Sequence, residues 1–237
     1  MTVDLLAIVA HPDDAELLCG GTLAKTAAQG NRAGILDLTA GESGSAGSVE
    51  ERAREAAEAA RILGVSRHCA ALPDSRLQDD VASRTAVAGW IRKLQPRVVI
   101  THWPDARHPD HAATSRIVQA ACFLAGLRNY RAEGAPHRPR KLLYSLTYQE
   151  SNEKPTFVVD ISDFFKTKLD AIFAFNSQFF GKTAMGDVLG GERPLQDQLV
   201  AHHAHYGSLI RKPYGEPYWS RETMRVDDVL RLDVSTF

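Results

Sequence analysis

Short apolar segments alternate with longer amphipathic ones over the first 125 residues. Residues 5–9, 33–39, 67–72 and 97–101 are short and rich in apolar or β-branched side chains, which predicts four strands. The segments between and after them have helical periodicity and predict helices at residues 22–28, 48–63, 83–94 and 109–125. The second of these helices begins with a capping-box spacing, and the last begins with a proline in its first turn. In the second helix, the apolar spacing predicts one face that packs on a sheet, formed by Val49, Ala53, Ala56, Ala60 and Leu63.

Strands separated by helices of this length form right-handed crossovers and a mostly parallel sheet. The sequence therefore predicts an α/β fold, a Rossmann-like three-layer sandwich with a mostly parallel central sheet. The later chain is less regular, and we expect strands at residues 142–148 and 157–161 and helices at 162–175 and 195–206. The loop at residues 131–140 does not separate two domains. We expect one domain over residues 1–237, whose irregular part from about residue 131 completes the site and the core.

Composition narrows the classes of partner. The chain has 237 residues, 44% of them hydrophobic, and a formal net charge of -1, which argues against an electrostatic nucleic-acid or membrane binder. Apolar runs of about 18 residues are absent from the sequence, as is a secretory leader pattern. Three widely spaced cysteines are typical of a reducing compartment. We therefore expect a cytoplasmic homo-oligomer that acts on a small molecule, without nucleic-acid or membrane partners.

Two polar clusters follow strands of the predicted sheet. The motif Ala-His-Pro-Asp-Asp ends the first strand with His11, Asp13 and Asp14, and the motif His-Pro-Asp-His after the fourth strand brings His108 and His111 to a helix start. Ligands of such sheets bind beyond the carboxyl ends of the strands. If the first and fourth strands are neighbours, His111 meets His11 and Asp14. Two imidazoles and one carboxylate suit zinc with a fourth position for water, and leave Asp13 and His108 as acid and base.

These residues also have simpler interpretations. A histidine at a strand end is often only solvent-facing, and the adjacent aspartates can cap a helix. Two His-plus-Asp clusters on the same edge favour a site. A dinucleotide fold is excluded because no Gly-x-Gly-x-x-Gly turn follows the first strand, and a P-loop is excluded because no Lys-Ser or Lys-Thr pair follows Gly41, Gly44 and Gly47.

The histidine-rich segment near residue 203 invites a second metal site. His202 and His205 share a helix face, with His203 between them. Since no carboxylate or cysteine stands at a matching spacing, we favour solvated or helix-interface histidines there.

The two clusters resemble the LmbE-like (PIG-L) superfamily of zinc-dependent deacetylases acting on N-acetylglucosamine conjugates. Within it, the chain is most similar to the bacillithiol-biosynthesis deacetylases, which remove acetate from N-acetylglucosaminyl-malate. The superfamily resemblance also includes Gly-Gly-Thr at 20–22, the loop at 40–42, the helix start at 51–52, Pro73-Asp74 and the segment 176–179. The subfamily resemblance rests on the Arg107 context, the Ser-Gln-Phe of residues 177–179 and the segment 214–219.

The resemblance implies roles at the metal. It assigns zinc to His11, Asp14 and His111, with iron(II) as an alternative ion for this ligand set. Asp13 is then the general base, and protonated His108 stabilises the oxyanion or passes a proton toward the leaving amine.

The resemblance also implies substrate contacts, each with a simpler alternative. Arg52 is expected to bond sugar hydroxyls, or to be a solvated helix charge. Arg107 suits a malate carboxylate because a guanidinium offers a bidentate fork, or is a solvated loop charge. Tyr214 is expected near the acetyl oxygen, or in an ordinary surface turn. Asp110 is expected to fix an imidazole tautomer next to the metal, or to be a helix N-terminal carboxylate.

The sequence thus supports a zinc-dependent amidohydrolase that deacetylates an N-acetylglucosamine conjugate, with the malate conjugate as the expected substrate. A related deacetylase or amidase acting on chitobiose, an inositol conjugate, another thiol-sugar conjugate or a natural product is the alternative. A noncatalytic sugar-binding protein is a third hypothesis, and an intact Asp13 argues against it because a binding module has no use for a base.

Overall fold

The computed structural model describes residues 2–148, 153–179, 194–231 and 233–234. Its strands are β1 Leu5–Val9, β2 Ala33–Asp37, β3 Ser66–Cys69, β4 Val98–Thr101, β5 Lys141–Ser145, β6 Phe157–Asp160 and β7 Gly215–Trp219. Its α-helices are α1 Asp14–Ala28, α2 Val49–Leu63, α3 Val81–Leu94, α4 Pro109–Ala125, α5 Phe165–Phe173, α6 Asn176–Phe179 and α7 Leu195–Leu209. Short 3₁₀ helices occupy Ser162–Phe164 and Val229–Arg231.

The seven strands form one sheet in the order β3-β2-β1-β4-β5-β7-β6. The neighbouring pairs from β3 to β5 are parallel, and β7 pairs antiparallel with both β5 and β6. The α/β class and the mostly parallel sheet are therefore confirmed. After β3 the chain crosses back to the other side of β1, where β4 pairs with it in the register Leu5↔Val98. This reversal of strand order makes the β1–β4 crevice the place where such sheets bind ligands.

Helices cover both faces of the sheet because alternate strand residues point to opposite sides. Leu5, Ala7 and Val9 of β1 belong to a core shared with α1, α2 and α5. Leu6 and Ile8 belong to a second core shared with α3 and α4. The carboxyl ends of β1 and β4 are thus held between two packed layers.

Helix α1 begins earlier than predicted. The sequence placed its start after the glycine pair at 20–21, but the helix runs from Asp14 and is interrupted at Cys19, whose φ of -151° and ψ of 19° are not helical. The first turn of α1 therefore begins with Asp14, the last residue of the Ala-His-Pro-Asp-Asp motif, and not with the apolar residues after Gly21. This places Asp14 within a helix instead of a loop.

The buried face of α2 also differs from the prediction. Val49 is 40% exposed, and Ala53 is exposed. The buried face instead includes a charged side chain, and its residues are Arg52, Ala56, Ala59, Ala60 and Leu63. The apolar spacing wrongly placed Val49 and Ala53 on the buried face. Arg52 is buried there instead, because two backbone carbonyls and a carboxylate accept hydrogen bonds from its side chain, and periodicity does not show such partners.

The later elements are shorter or more divided than predicted. Strand β5 ends at Ser145, and the helix expected over 162–175 is a 3₁₀ turn followed by α5. Strand β7 was not predicted because Pro217 within it is typical of a turn. Among the described residues, the helices are too short or too polar to cross a membrane.

Candidate active site

The ends of β1 and β4 bring the two polar clusters together. The backbone N–H of Ala10, just after β1, donates to Nε2 of His102, just after β4, at 3.0 Å. His108 is the N-cap residue of α4, with Pro109 in the first turn. His111 lies in the same first turn and reaches Asp14, just after β1, as we predicted for neighbouring strands β1 and β4.

Three side chains form the group best suited to a metal ion. His11, Asp14 and His111 each offer one ligand atom, and these atoms lie within 4.8 Å of one another. Nδ1 of His11 is 3.3 Å from Oδ2 of Asp14, and Nε2 of His111 is 3.1 Å from Oδ1. Nε2 of His111 is buried without a hydrogen-bond partner. A divalent cation would satisfy that nitrogen beside the Asp14 carboxylate, so the residues present fit zinc.

The other ring nitrogen of His11 faces two carboxylates. Its Nε2 lies 3.1 Å from Oδ1 of Asp74 and 3.3 Å from Oδ2 of Asp110. A histidine that binds metal through one nitrogen commonly donates its other N–H to a carboxylate, which fixes the tautomer. Asp110 therefore lies where the expected tautomer-fixing role requires it, and Asp74 shares that position.

A second group, His11, His108 and Asp110, also lies within 4.8 Å. Its acceptors are already occupied: Nδ1 of His108 accepts the backbone N–H of Asp110 at 3.2 Å, and Oδ2 of Asp110 accepts the N–H of Ser75 at 2.8 Å. His108 is also exposed. The buried group with Asp14 and His111 is the better site for a metal.

The cluster concentrates negative charge that favours a cation. Although burial opposes it, the nearby charge of His111 and a hydrogen bond from His11 hold the pKa of Asp14 well below its usual range. Burial also opposes the charged form of His11, but the hydrogen bond and charge of Asp14, with the charges of Asp13 and Asp74, raise the pKa of His11 to about 9. Positive charge between these carboxylates is thus stabilised.

Asp13 is fully buried and lies next to the ligands without belonging to the group. Burial and the charge of Asp14 raise its pKa well above the usual value, while Arg52 and His11 oppose the rise. Its Oδ1 has no hydrogen-bond partner, and its Oδ2 accepts from Nη2 of Arg52 at 3.3 Å. A carboxylate with an open oxygen and a raised pKa is suited to accept a proton.

The surroundings of His108 disfavour the protonated state expected for it. Partial desolvation of its ring, followed by the charges of His111 and His11, lowers the pKa of His108. Its Nδ1 accepts the amide hydrogen of Asp110, so the neutral ring carries its hydrogen on Nε2. His108 can therefore donate a hydrogen bond as a neutral ring.

Sequence reasoning missed His102 and gave Asp74 no role. His102 is 1% exposed, stacks on His111 with ring centroids 4.1 Å apart, and has Nε2 3.4 Å from Oδ2 of Asp14. Burial, then the charge of His111, lowers the pKa of His102 to about 4, which fits a neutral ring that accepts the Ala10 N–H. One feature of the sequence could have identified both residues, which is their position after a strand on the predicted ligand edge of the sheet. His102 directly follows β4, and Asp74 lies in the loop after β3.

The predicted substrate residues are placed differently from one another. Arg107 is exposed in the loop directly before His108. Arg52 is 4% exposed and bonds to protein groups, which contradicts the alternative of a solvated helix charge. Tyr214 is not brought to the cluster: its ring stacks on Phe165 with centroids 3.8 Å apart. The residues after Tyr214, which include a proline and two aromatic residues, form strand β7. This strand holds Tyr214 against α5.

The histidines of α7 pack against other elements. His203 is fully buried and its Nδ1 lies 2.8 Å from the carbonyl of Leu199, whereas His202 accepts the N–H of Tyr148 at 3.3 Å. Within the described ranges, the groups of His, Cys, Asp and Glu that could hold a metal do not include them. This agrees with the interpretation of interface histidines.

Comparison with known proteins gives a consistent set of relatives. The family model described as GlcNAc-PI de-N-acetylase (PIG-L) matches residues 6–122. The 1D-myo-inositol 2-acetamido-2-deoxy-alpha-D-glucopyranoside deacetylase of Rhodococcus opacus is 32% identical over 178 residues, covering 60% of this chain and 61% of that relative. The chain thus spans less than two thirds of that protein's length. The diacetylchitobiose deacetylase of Thermococcus kodakarensis is 32% identical over 191 residues, covering 74% of this chain and 70% of that relative.

A solved structure extends the likeness over the whole fold. The conserved protein TT1542 from Thermus thermophilus superposes with a TM-score of 0.85 at 39% sequence identity, covering 95% of this chain and 98% of that chain. The shared architecture therefore includes β5 to β7, which the family model does not reach.

Proposed function

Because this chain belongs to the PIG-L family, we propose that it hydrolyses the acetamide of an N-acetylglucosamine conjugate to the free amine and acetate. The observation that carries the proposal is the convergence of His11, Asp14 and His111, with Asp13 open beside them. This arrangement offers three metal ligands and a separate base. Both of the curated relatives described above are deacetylases of N-acetylglucosamine-type compounds, by their names.

Zinc is the metal we propose, and His11, Asp14 and His111 would hold it. When bound, it would lower the pKa of a water molecule to about 7 and polarise the acetamide carbonyl. Asp74 and Asp110 would orient the ring of His11 through its Nε2.

The remaining residues supply the proton chemistry. Asp13 accepts a proton from the attacking water through its open Oδ1 and returns it to the leaving nitrogen, so that amide and water become amine and acetate. His108 keeps its Nε2–H because its Nδ1 is occupied by the Asp110 amide. That N–H donates to the oxygen that becomes negatively charged in the transition state.

We propose malate as the aglycone, which places the substrate in bacillithiol biosynthesis. The support is the position of Arg107, exposed directly before His108, where a guanidinium can meet a carboxylate that projects from the sugar. The named relatives act on inositol and disaccharide compounds, so these are the competing aglycones.

The test is acetate release from a panel with a constant N-acetylglucosamine and a varied aglycone: malate, inositol, phosphatidylinositol or a second sugar. The zinc-loaded protein should release acetate with the highest kcat/KM on the malate conjugate. Arg107→Ala should lower kcat/KM by about 10- to 200-fold on that conjugate, because a charge-assisted bidentate contact contributes about 1.5–3 kcal/mol. The other conjugates should change little, which provides the control.

The outcomes separate the two levels of the proposal. Equal rates across the panel, or an Arg107→Ala loss of the same size on every conjugate, would contradict the malate assignment and leave deacetylation standing. Absence of acetate release from every conjugate would contradict deacetylation itself.

A further inference from the structure

We propose that the segment after β7 docks into an open cleft on a second copy of this chain. This segment, the β7 arm, is defined as residues 220–231 and 233–234. The cleft lies between α1 and the face of the sheet formed by β4, β5 and β6. Docking of the β7 arm is independent of the proposed deacetylation.

The β7 arm exposes a series of apolar side chains. Among the described residues, ten large hydrophobic side chains are exposed, and five of them belong to the arm: Met224, Val226, Val229, Leu230 and Val234. Leu230 is 91% exposed and Val229 is 74% exposed. Single exposed hydrophobic residues are normal on a protein surface, but a contiguous series of them marks an interaction site.

The charges of the β7 arm favour a protein as its partner. Arg225 pairs with Asp227 at 2.6 Å, and Arg231 pairs with Asp228 at 3.3 Å. Over residues 220–234 the sequence has three arginines and four acidic residues. Nucleic acids and anionic membranes attract segments with an excess of Lys and Arg. The arm therefore suits an apolar protein surface with a mixed polar rim.

Such a surface is present on the same chain. The cleft has a volume of about 300 Å³, and its floor is formed by apolar side chains of three strands: Val98, Ile100, Leu143, Phe157 and Val159. Four of these five are only partly buried, so this part of the sheet face is open in the described chain. Asp4 and Arg97 supply both signs of charge at its rim. The cleft thus matches an arm in which apolar residues are interspersed with acidic and basic ones.

The β7 arm leaves its own domain on the face opposite its own cleft. Neighbouring residues of a strand face opposite sides of a sheet. Leu143 lines the cleft, whereas Tyr144 belongs to an aromatic cluster with Trp103 and Trp219. Arg221, at the start of the arm, lies over the ring of Tyr144, 5.8 Å from its centroid. A second copy can therefore receive an arm that its own chain directs away from the cleft.

The two surfaces together are large enough for a stable assembly. The arm and the lining of the cleft contribute roughly the 20–30 residues that a standard interface uses on each side. Every copy carries both surfaces, so exchange of arms between copies can cover both in a closed assembly. A partner of a different kind would leave one of them open.

Charged residues in the β7 arm should prevent docking. By sedimentation velocity, we expect the zinc-loaded chain to form an assembly of two or more 26.0 kDa copies. The double variant Val229→Asp/Leu230→Asp should weaken association by about 30-fold or more, as for loss of an interface hot spot. Val81→Asp/Leu209→Asp, at exposed residues outside the arm, is the matched control and should assemble like the wild type.

A long side chain placed in the cleft should have the same effect. Thr26 lines the cleft from α1, whereas Ala28 is exposed on the same helix outside it. Thr26→Arg should weaken association to a similar degree, and the control Ala28→Arg should not. Circular dichroism and the melting temperature establish that each variant is folded.

Photo-cross-linking identifies the surface that receives the arm. Benzoylphenylalanine is introduced in place of Leu230, the irradiated protein is separated on a denaturing gel, and the cross-linked peptides are mapped by mass spectrometry. We expect covalent dimers, with cross-links to peptides that contain Thr26, Val98 or Phe157.

Three results would each overturn the docking proposal. One is a monomer at every concentration of the wild type. Another is an assembly that the folded arm variant leaves as stable as the wild-type assembly. The third is a set of cross-links that lie within one chain or outside the cleft. These measurements report mass and contact, so they are separate from any failure to release acetate, which would overturn the proposed function.

Discussion

His11 presents its two ring nitrogens to different partners. Nδ1 faces Asp14, on the side of the ligand group, and Nε2 faces Asp74 and Asp110. The ring has one hydrogen when neutral, so a metal on Nδ1 requires that hydrogen on Nε2, where two carboxylates accept it. Their negative charge also strengthens His11 as a ligand.

The carboxylates behind His11 give a prediction about metal affinity. Asp74→Asn and Asp110→Asn should each weaken zinc affinity by about 10- to 100-fold, because an amide removes the charge and keeps similar size. Competition with a chromophoric chelator measures the change. The control is Asp105→Asn, at an exposed aspartate in the loop between β4 and α4. Unchanged affinity in both buried variants would show that His11 does not depend on them.

The backbone conformation of Asp13 is energetically unfavourable, and contacts with its surroundings must offset that cost. A residue with a side chain in a sparsely populated backbone region costs about 1–3 kcal/mol. Such strain at a buried carboxylate with an unpartnered oxygen fits a group placed for chemistry.

The sequence predicted which residues gather at the metal site, but it predicted only some of the contacts between them. His11, Asp14 and His111 were grouped from motifs, because strand ends of a parallel sheet share one edge. His102 was not assigned, because its partner Ala10 lies 92 positions away and no motif encodes that contact. Asp74 reaches His11 from a loop after β3, and the spacing in the chain carries no sign of it.

Helix α1 carries Asp14 on a short first half that ends at a kink. At the break, the carbonyl of Leu17 accepts from Nζ of Lys168 at 2.7 Å, and that of Leu18 accepts from the hydroxyls of Ser145 and Thr147. The orphaned carbonyls of an interrupted helix are thereby satisfied.

The second half of α1 begins as a capped helix. The carboxylate of Glu216 accepts from the backbone N–H groups of Gly21 and Thr22 at 2.9 and 2.8 Å. Lys168 pairs with the same carboxylate at 2.6 Å, and both side chains are fully buried. Tyr218 of the same segment also donates its hydroxyl to Thr22 of α1 at 2.8 Å, whereas Tyr214 stacks on Phe165.

This ion pair gives a prediction about stability. Lys168→Met should lower the free energy of unfolding by about 3–5 kcal/mol, because it leaves the Glu216 charge buried without its counter-ion. The control Lys166→Met removes an exposed lysine two residues earlier in α5 and should change stability little. Urea denaturation measures both. Equal stability of the two variants would contradict the anchoring role of the pair.

The kink explains why the start of α1 was predicted wrongly. A Gly-Gly pair is typical of a helix boundary, and it does mark one, but between two halves of the same helix. A Cβ at Gly21 would lie 2.8 Å from the side chain of Ile161, so close packing on the turn before α5 also requires glycine there. Local pattern cannot show a partner that lies 140 residues later.

Across the whole molecule, the strand–helix repeat predicted the parallel half of the sheet well. Helix α4 was predicted with its bounds, Pro109–Ala125. The sheet continues through β7, whose Tyr218 and Pro217 pair with Ser145 and Val158 in neighbouring strands. These pairings join distant segments, and a proline in an inner strand argues against a strand assignment from sequence.

The proposed activity is a metal-dependent deacetylation in which Asp13 acts as a base separate from the metal ligands. The most direct test measures acetate release and bound zinc together in the wild type, Asp13→Ala and His111→Ala, with an N-acetylglucosamine conjugate that the wild type accepts. Asp13→Ala should retain zinc and lose about 100- to 10,000-fold in turnover, as expected for loss of a general base. His111→Ala should lose zinc, because two ligands remain of three. Wild-type turnover in zinc-loaded Asp13→Ala would contradict the account.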